Sequence, residues 1–271
     1  MEPQVFKRFQ KLAYTHAGID LKAGKEALVT ARVRKRMRAL GIGHHKEYLE
    51  YLEDDTTGEE MLSFLDVIST NFTKFFREAK HFEFLSRHLK ELQARGQRRV
   101  RIWCAAASTG EEPYTLAMVC QDVLGKNADF KILATDISTS VIAKCKAATY
   151  PAAAVQNVPA RYRHAAFHKS GLGDDAVYVV NDELRDKVVF KLLNLAHPPF
   201  PMTGPLDAIF CRNVMIYFDN PVRQRLVSAF EDLIRQDGLV VIGQSETLTG
   251  LTHGMQSLAP SVFAAPHGRS R

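Results

Sequence analysis

No stretch of this 271-residue chain is long and apolar enough to span a bilayer, which excludes an integral helical membrane protein. The first residues, MEPQVFKRFQ, carry no apolar signal-peptide core, so a cytosolic location is expected. Cysteine is sparse and scattered. Cys104, Cys120, Cys145 and Cys211 form no C-x-x-C pair and stand near no paired histidines, which points to reduced core thiols and to no disulfide or metal site. His44 and His45 are adjacent and read as an exposed loop. Glycine is missing where a phosphate site would need it. The one nucleotide-type turn contains only Gly110, whereas dinucleotide and P-loop turns need several glycines to wrap backbone amides around phosphates.

What is present around Gly110 organises the rest. Val100–Cys104 is a short apolar run, Ala105–Ala107 are small enough to let a ligand approach the backbone, and Ser108, Thr109 and Gly110 supply turn chemistry. Pro113 suits the first turn of the helix that follows, and Glu111 and Glu112 suit its positive end. Two acids where a pyrophosphate would sit favour a ligand carrying positive charge, and S-adenosylmethionine, a sulfonium amine without phosphate, fits. The next strand, Phe130–Thr135, ends in Asp136, 26 residues beyond Gly110 and near the offset of an acid that binds ribose hydroxyls. The competing reading of Asp136 is a cap for the helix starting near Ile137.

With 46% apolar residues the chain can bury a full α/β core and carry a small extra domain. Residues 1–70 read as that domain, all helical. One amphipathic helix built on Phe6, Phe9, Leu12 and Ala13 is closed by Gly18, and a second runs from about Lys25 to Leu40 and is capped by Gly41. The second helix has a narrow apolar stripe of Val29, Val33, Met37 and Leu40, with Arg32, Arg34, Lys35, Arg36 and Arg38 over most of its remaining circumference. The net charge of +6 is concentrated here: residues 1–46 hold 11 Lys/Arg against 3 Asp/Glu, and residues 47–70 hold none against 8. Five cations with no interleaved acid repel one another as a merely solvated face, so an acidic docking partner is favoured.

A linker at 71–80 carries most of TNFTKFFRE, in which Phe72, Phe75 and Phe76 are expected in the core and Arg77 is suited to hold a carboxylate. A helix from Arg77 to about Arg95 should follow. Residues 81–271 then alternate strands and helices, except for an insertion at about 150–187 that reads as a small antiparallel unit with a turn at Ser170–Asp175. Val188–Leu193, Leu206–Cys211 and Leu239–Gly243 read as further strands, Pro221–Gln236 as a helix, and SLAPSVFAA as one edge strand. The strand ends bring Ala105–Gly110, Asp136, Asn194, Arg212 and Asn213 to one cleft.

TNFTKFFRE, WCAAASTGEEPY, LATDIS, LNL and DAIFCRNVMIYFD, in that order, resemble the chemotaxis receptor methyltransferases of the CheR type over nearly the whole chain. The resemblance implies a Rossmann-like α/β adenosylmethionine-dependent domain with an antiparallel β-subdomain, preceded by a helical domain. It also implies esterification of glutamates on the cytoplasmic helices of chemoreceptors, leaving S-adenosylhomocysteine. By resemblance the cofactor contacts fall on Asn71, Thr73, Arg77, Glu112, Asp136, Asn194, Leu195, Arg212 and Asn213, with Arg77 and Tyr217 as the catalytic pair. The basic helix is then the surface for the receptor bundle and the β-subdomain the site of a receptor C-terminal peptide, with the enzyme a monomer and no nucleic acid involved. Two rivals remain: a nucleic-acid methyltransferase, suggested by HPPF at His197–Phe200, and a non-catalytic adenosylmethionine-binding signalling module.

Overall fold

The computed structural model describes residues 1–69, 71–172 and 176–265; Thr70, part of the Ser170–Asp175 turn and the C-terminal GRSR lie outside them. Four helices come first: α1 (Pro3–Ala17), α2 (Glu26–Leu40), α3 (His45–Glu53) and α4 (Glu59–Ile68). Gly18 and Gly41 close α1 and α2 in the left-handed conformation that only glycine adopts without cost. Phe9 stacks on Phe64 at 5.3 Å, and Val29, Val33 and Met37 are buried with them, so the narrow stripe of α2 is its core face. Tyr48 and Leu49 of α3 complete this core.

The second body starts with α5 (Lys80–Ala94), β1 (Arg99–Cys104), α6 (Glu111–Leu124), β2 (Asp129–Asp136) and α7 (Thr139–Ala147). The insertion follows as β3 (Thr149–Pro151), α8 (Ala152–Val155), α9 (Ala160–Ala166), β4 (Phe167–Ser170), β5 (Val177–Val180) and α10 (Asp182–Arg185). The chain ends with β6 (Val188–Leu192), β7 (Leu206–Cys211), α11 (Asn220–Leu233), β8 (Ile234–Ile242), β9 (Gln256–Ala259) and β10 (Val262–Ala264). The main sheet has the order β6-β2-β1-β7-β8-β10-β9, parallel except for the pairs β8/β10 and β10/β9. The chain leaves β1 in one direction and returns on the other side at β7, so the crevice between their carboxyl ends is where a ligand can enter. A separate antiparallel sheet, β3-β5-β4, is the expected insertion. Among the described residues no helix is long and apolar enough to cross a membrane.

Several boundaries differ from the sequence expectation. α5 begins at Lys80 rather than Arg77, because Phe76 and Glu78 take positive φ values of 55° and 58° and make a tight turn that a helix cannot contain. Phe72 is 71% exposed, not core, while Phe75 is buried edge-on against Tyr150 at 4.9 Å. α11 ends at Leu233, and Ile234–Gln236 already belong to β8. SLAPSVFAA is a hairpin rather than one edge strand, since Pro260 and Ser261 turn β9 back as β10.

The two bodies are sewn together at the end of α1. Ile19 forms an antiparallel bridge with Phe218, Asp20 N–H donates to Tyr217 O (2.8 Å), and Tyr14 Oη donates to Asp219 Oδ2 (2.8 Å). Asn194 Nδ2 donates to His16 O (2.5 Å).

Gly110 couples the insertion to the cleft. Its φ is +100°, and a Cβ there would lie 2.5 Å from the Tyr150 hydroxyl, which itself donates to Thr109 O (3.0 Å). Gly110→Ala is expected to cost roughly 2–3 kcal/mol in urea unfolding, from left-handed strain plus the clash. Adding Tyr150→Phe should recover only the clash.

Candidate active site

The cleft is built by loops leaving the carboxyl ends of β1, β2, β6 and β7, and it encloses about 820 Å³, part of it open to solvent. After β1 the chain is held tightly: Ala105 N–H donates to Phe210 O and Ala107 N–H to Thr135 O, both at 2.8 Å. Thr135 Oγ1 accepts from the buried Trp103 indole (2.9 Å) and donates to Ala105 O (3.0 Å). This network fixes the floor of the cleft from below. Ser108 then takes φ +47°, which aims its N–H at Asp136 Oδ2 (2.9 Å).

Asp136 does not cap the next helix; Ser138 does, its hydroxyl accepting from Val141 N–H (3.1 Å). Asp136 instead accepts one backbone N–H on each oxygen, from Ser108 and from Ser138 (3.0 Å). Burial pushes its pKa up, opposed by the Ser138, Ser108 and Ile137 amides, and the carboxylate keeps acceptor capacity for a further donor.

Arg212 is the centre of the polar network. Its side chain is fully buried and lies between two carboxylates, with Nη1 donating to Glu112 Oε2 (2.6 Å) and Nη2 to Glu78 Oε2 (3.1 Å). Nη2 also donates to the Arg77 carbonyl, and the guanidinium stands 5.3 Å over the Phe82 ring. Glu78 further accepts from Asn213 Nδ2 (3.3 Å) and Gln244 N–H (3.1 Å). Burial raises Glu78, but the Arg212 charge and the donors more than offset it and leave its pKa below the usual range. For Glu112 burial wins over Arg212, and its pKa is raised.

Asn71, Thr73, Arg77, Glu112, Asp136, Asn194, Leu195, Arg212, Asn213 and Tyr217 all line this one cleft. Arg77 is held by its own loop, Nη1 donating to Phe72 O (2.9 Å) with Glu78 Oε1 at 3.9 Å from Nε. Ala17 and Ile19 of the helical domain also line it and were not expected. Glu78 and Glu246 were missed as well. Glu246 accepts from Asn213 N–H (2.9 Å), Gly243 N–H (2.6 Å) and Ile216 N–H (3.3 Å), so it shapes the whole loop after β7. A Cβ at Gly243 would lie 2.5 Å from Asn213 Nδ2, so glycine lets that loop close. Their signal in the sequence was slight, a carboxylate after Arg77 and a glycine ending a strand.

The donor set suits S-adenosylmethionine. Asp136 can take a vicinal diol, Ile137, Leu193 and Leu195 give an apolar wall for a purine, and the buried Arg212 Nε has no protein partner and can meet an anionic group. On α2 the expected basic set divides. Arg36 pairs with Glu60, which is 5% exposed and also accepts from Tyr48 Oη (2.7 Å), and Arg32 donates to Ile68 O. Arg34, Lys35 and Arg38 remain exposed. No acid is interleaved among the cations of α2, but Arg36 is compensated by an acid from α4.

Two family profiles cover the chain: one described as the CheR methyltransferase all-alpha domain matches residues 4–69, and one described as the CheR methyltransferase SAM binding domain matches residues 71–263. A chemotaxis protein methyltransferase of Borreliella burgdorferi is 36% identical over 264 residues, 94% of this chain and 92% of that one. Chemotaxis protein methyltransferase 2 of Pseudomonas aeruginosa is 39% identical, covering 96% and 92%. The Escherichia coli chemotaxis protein methyltransferase is 37% identical, covering 96% and 90%.

His81 gives the site a measurable acid limb. It is 2% exposed, 3.4 Å from Glu78, and burial followed by repulsion from Arg212 pushes its pKa down from 6.5 to about 4. Between those values the unfolded chain binds a proton that the folded protein refuses. Stability should therefore fall as pH drops from 6.5 towards about 4, by on the order of 3 kcal/mol at most, and this loss levels off below. Urea midpoints of His81→Gln should show a flatter acid limb than wild type.

Proposed function

The chain belongs to the CheR methyltransferase family, and we propose that it transfers the methyl group of S-adenosylmethionine to glutamate side chains on the cytoplasmic helices of chemoreceptors. The observation that carries this reading is the convergence in one cleft of Asp136, a buried Arg212 and, from the motif before α5, Arg77. Bound there, S-adenosylmethionine supplies a methyl group already activated by positive sulfur. No histidine lines the cleft among the described residues. None is needed, because a glutamate with a pKa near 4.3 is ionised at neutral pH and needs no general base.

The chain's own work is then placement. Asp136 holds the ribose hydroxyls, Asn71, Thr73, Asn194 and Leu195 frame the nucleoside, and Glu112, Arg212 and Asn213 fix the amino-acid end. Arg77 holds the acceptor carboxylate and strips water from it, and Tyr217 orients the reacting groups by hydrogen bonding. The exposed Arg34, Lys35 and Arg38 draw in the acidic receptor bundle. The sheet β3-β5-β4 offers an edge for a receptor C-terminal peptide.

The rival readings weaken. HPPF lies before β7, and its Phe200 is buried against Trp103 at 5.2 Å, so it packs the core rather than waiting for a base. Tyr217, which lines the cleft outside the set of expected cofactor contacts, speaks against a non-catalytic module.

The defining experiment labels receptor-bearing membranes with methyl-labelled S-adenosylmethionine and collects methanol after mild alkali. Volatile label is expected, and label that stays on protein would sink the ester. Asp136→Ala should weaken cofactor binding at least ~30-fold by calorimetry, since hydrogen bonds to a charged group contribute about 1.5–3 kcal/mol each. Arg77→Ala should lower turnover on the order of 100-fold in a folded protein. Reversing Arg34, Lys35 and Arg38 to Glu should raise the KM for a receptor fragment about 10-fold, most at low salt, with cofactor affinity unchanged. Arg36→Glu should instead cost folding stability, because it leaves the buried Glu60 unpaired.

A further inference from the structure

The three phenylalanines of the motif before α5 have three different fates. Phe75 is core, Phe76 is half-buried and stacks on Tyr162 at 4.9 Å, and Phe72 is 71% exposed at the mouth of the cleft. Phe72 does not sit on a loose loop. Its carbonyl accepts from Arg77 Nη1 (2.9 Å), and the Asn71 carbonyl before it accepts from Ser108 Oγ (3.1 Å). These contacts tie the backbone that carries the ring to the Arg77 guanidinium and to the turn after β1. Ile216, 47% exposed and beside Tyr217, is a second apolar side chain next to the cleft, anchored through its N–H to Glu246. Lys74, also exposed, adds a cation near Phe72.

Holding a phenyl ring in water is unfavourable, and the cofactor does not account for this one. Ile137, Leu193 and Leu195 already give the cleft an apolar wall for a purine. The acceptor does account for it. A carboxylate held by Arg77, whose guanidinium meets the Phe72 carbonyl, brings its own helix to the cleft mouth where the Phe72 ring is exposed. On a helix the side chains that share the face of that carboxylate are those three or four positions away.

We propose that Phe72, assisted by Ile216, is a substrate-recognition residue that grips an apolar side chain one helical turn from the accepted glutamate, with Lys74 favouring further acids on the same helix. This rests on the glutamate reading above and names how that site selects among glutamates. Charge alone would accept any acidic helix; an apolar side chain at that spacing narrows the choice.

The test uses the full chain, a soluble chemoreceptor cytoplasmic fragment and S-adenosylmethionine. Phe72→Ala should raise the KM for the fragment about 10-fold, with kcat and the calorimetric Kd for S-adenosylmethionine within about 2-fold of wild type. Phe72→Leu should restore most of the loss. Replacing the apolar residues three and four positions from the labelled glutamate by Ser should raise KM for wild type and add little for Phe72→Ala. An unchanged KM, or a Kd for S-adenosylmethionine that weakens in parallel, would overturn the proposal, the latter making Phe72 a cover for the cofactor. Absence of alkali-labile label with wild type would overturn the glutamate reading and this proposal with it. Label with an unchanged Phe72→Ala KM overturns this proposal alone.

Discussion

A fully buried arginine between two carboxylates is the constraint from which the cleft is built. Arg212 cannot be desolvated alone, and Glu112 from the start of α6 and Glu78 from the turn before α5 compensate it from two sides. The same guanidinium binds the carbonyl of Arg77, so the segment after the helical domain is tied to the end of β7. Glu78 passes the tie on to Asn213 and Gln244. Four segments far apart in sequence thereby share one charge balance. Removing either acid leaves the buried guanidinium with one carboxylate in place of two and unties one of those segments.

Much of this was legible from the residues. The strand, turn and acid-rich helix start around Gly110, and the acid ending β2, stand out because they depend on local spacing and on the chemistry of single side chains. What was not legible depends on backbone dihedrals or on distant partners. Phe76 and Glu78 in left-handed conformation turn the chain before α5, and residues of that type carry no warning of it. The helical pattern of α5, extrapolated back to Arg77, hid Glu78 as an ordinary first-turn acid. Aromatic density in a sequence signals burial, but this motif splits its rings between core and rim, with Phe75 inside and Phe72 outside.

The basic helix shows the same limit. Five cations on one helix look uncompensated when only that helix is considered. Arg36 finds its acid on α4 through a contact 24 residues away. The acidic stretch after α2 is therefore in part its counterweight, and the local charge asymmetry of the sequence overstates the exposed positive surface. Asp136 is the converse case, in which two local roles competed and the neighbouring Ser138 took one of them.

The bridge between Ile19 and Phe218 has a consequence for how such proteins can be divided. The main chain on both sides of that contact belongs to the wall of the cleft: Ala17 and Ile19 from the helical side, Tyr217 and Phe218 from the sheet side. The helical domain is thus not an interchangeable adaptor bolted to an autonomous engine. A chimera that exchanged residues 1–69 for a relative's would import part of the cleft wall along with any docking surface, so the two could not be inherited from separate parents.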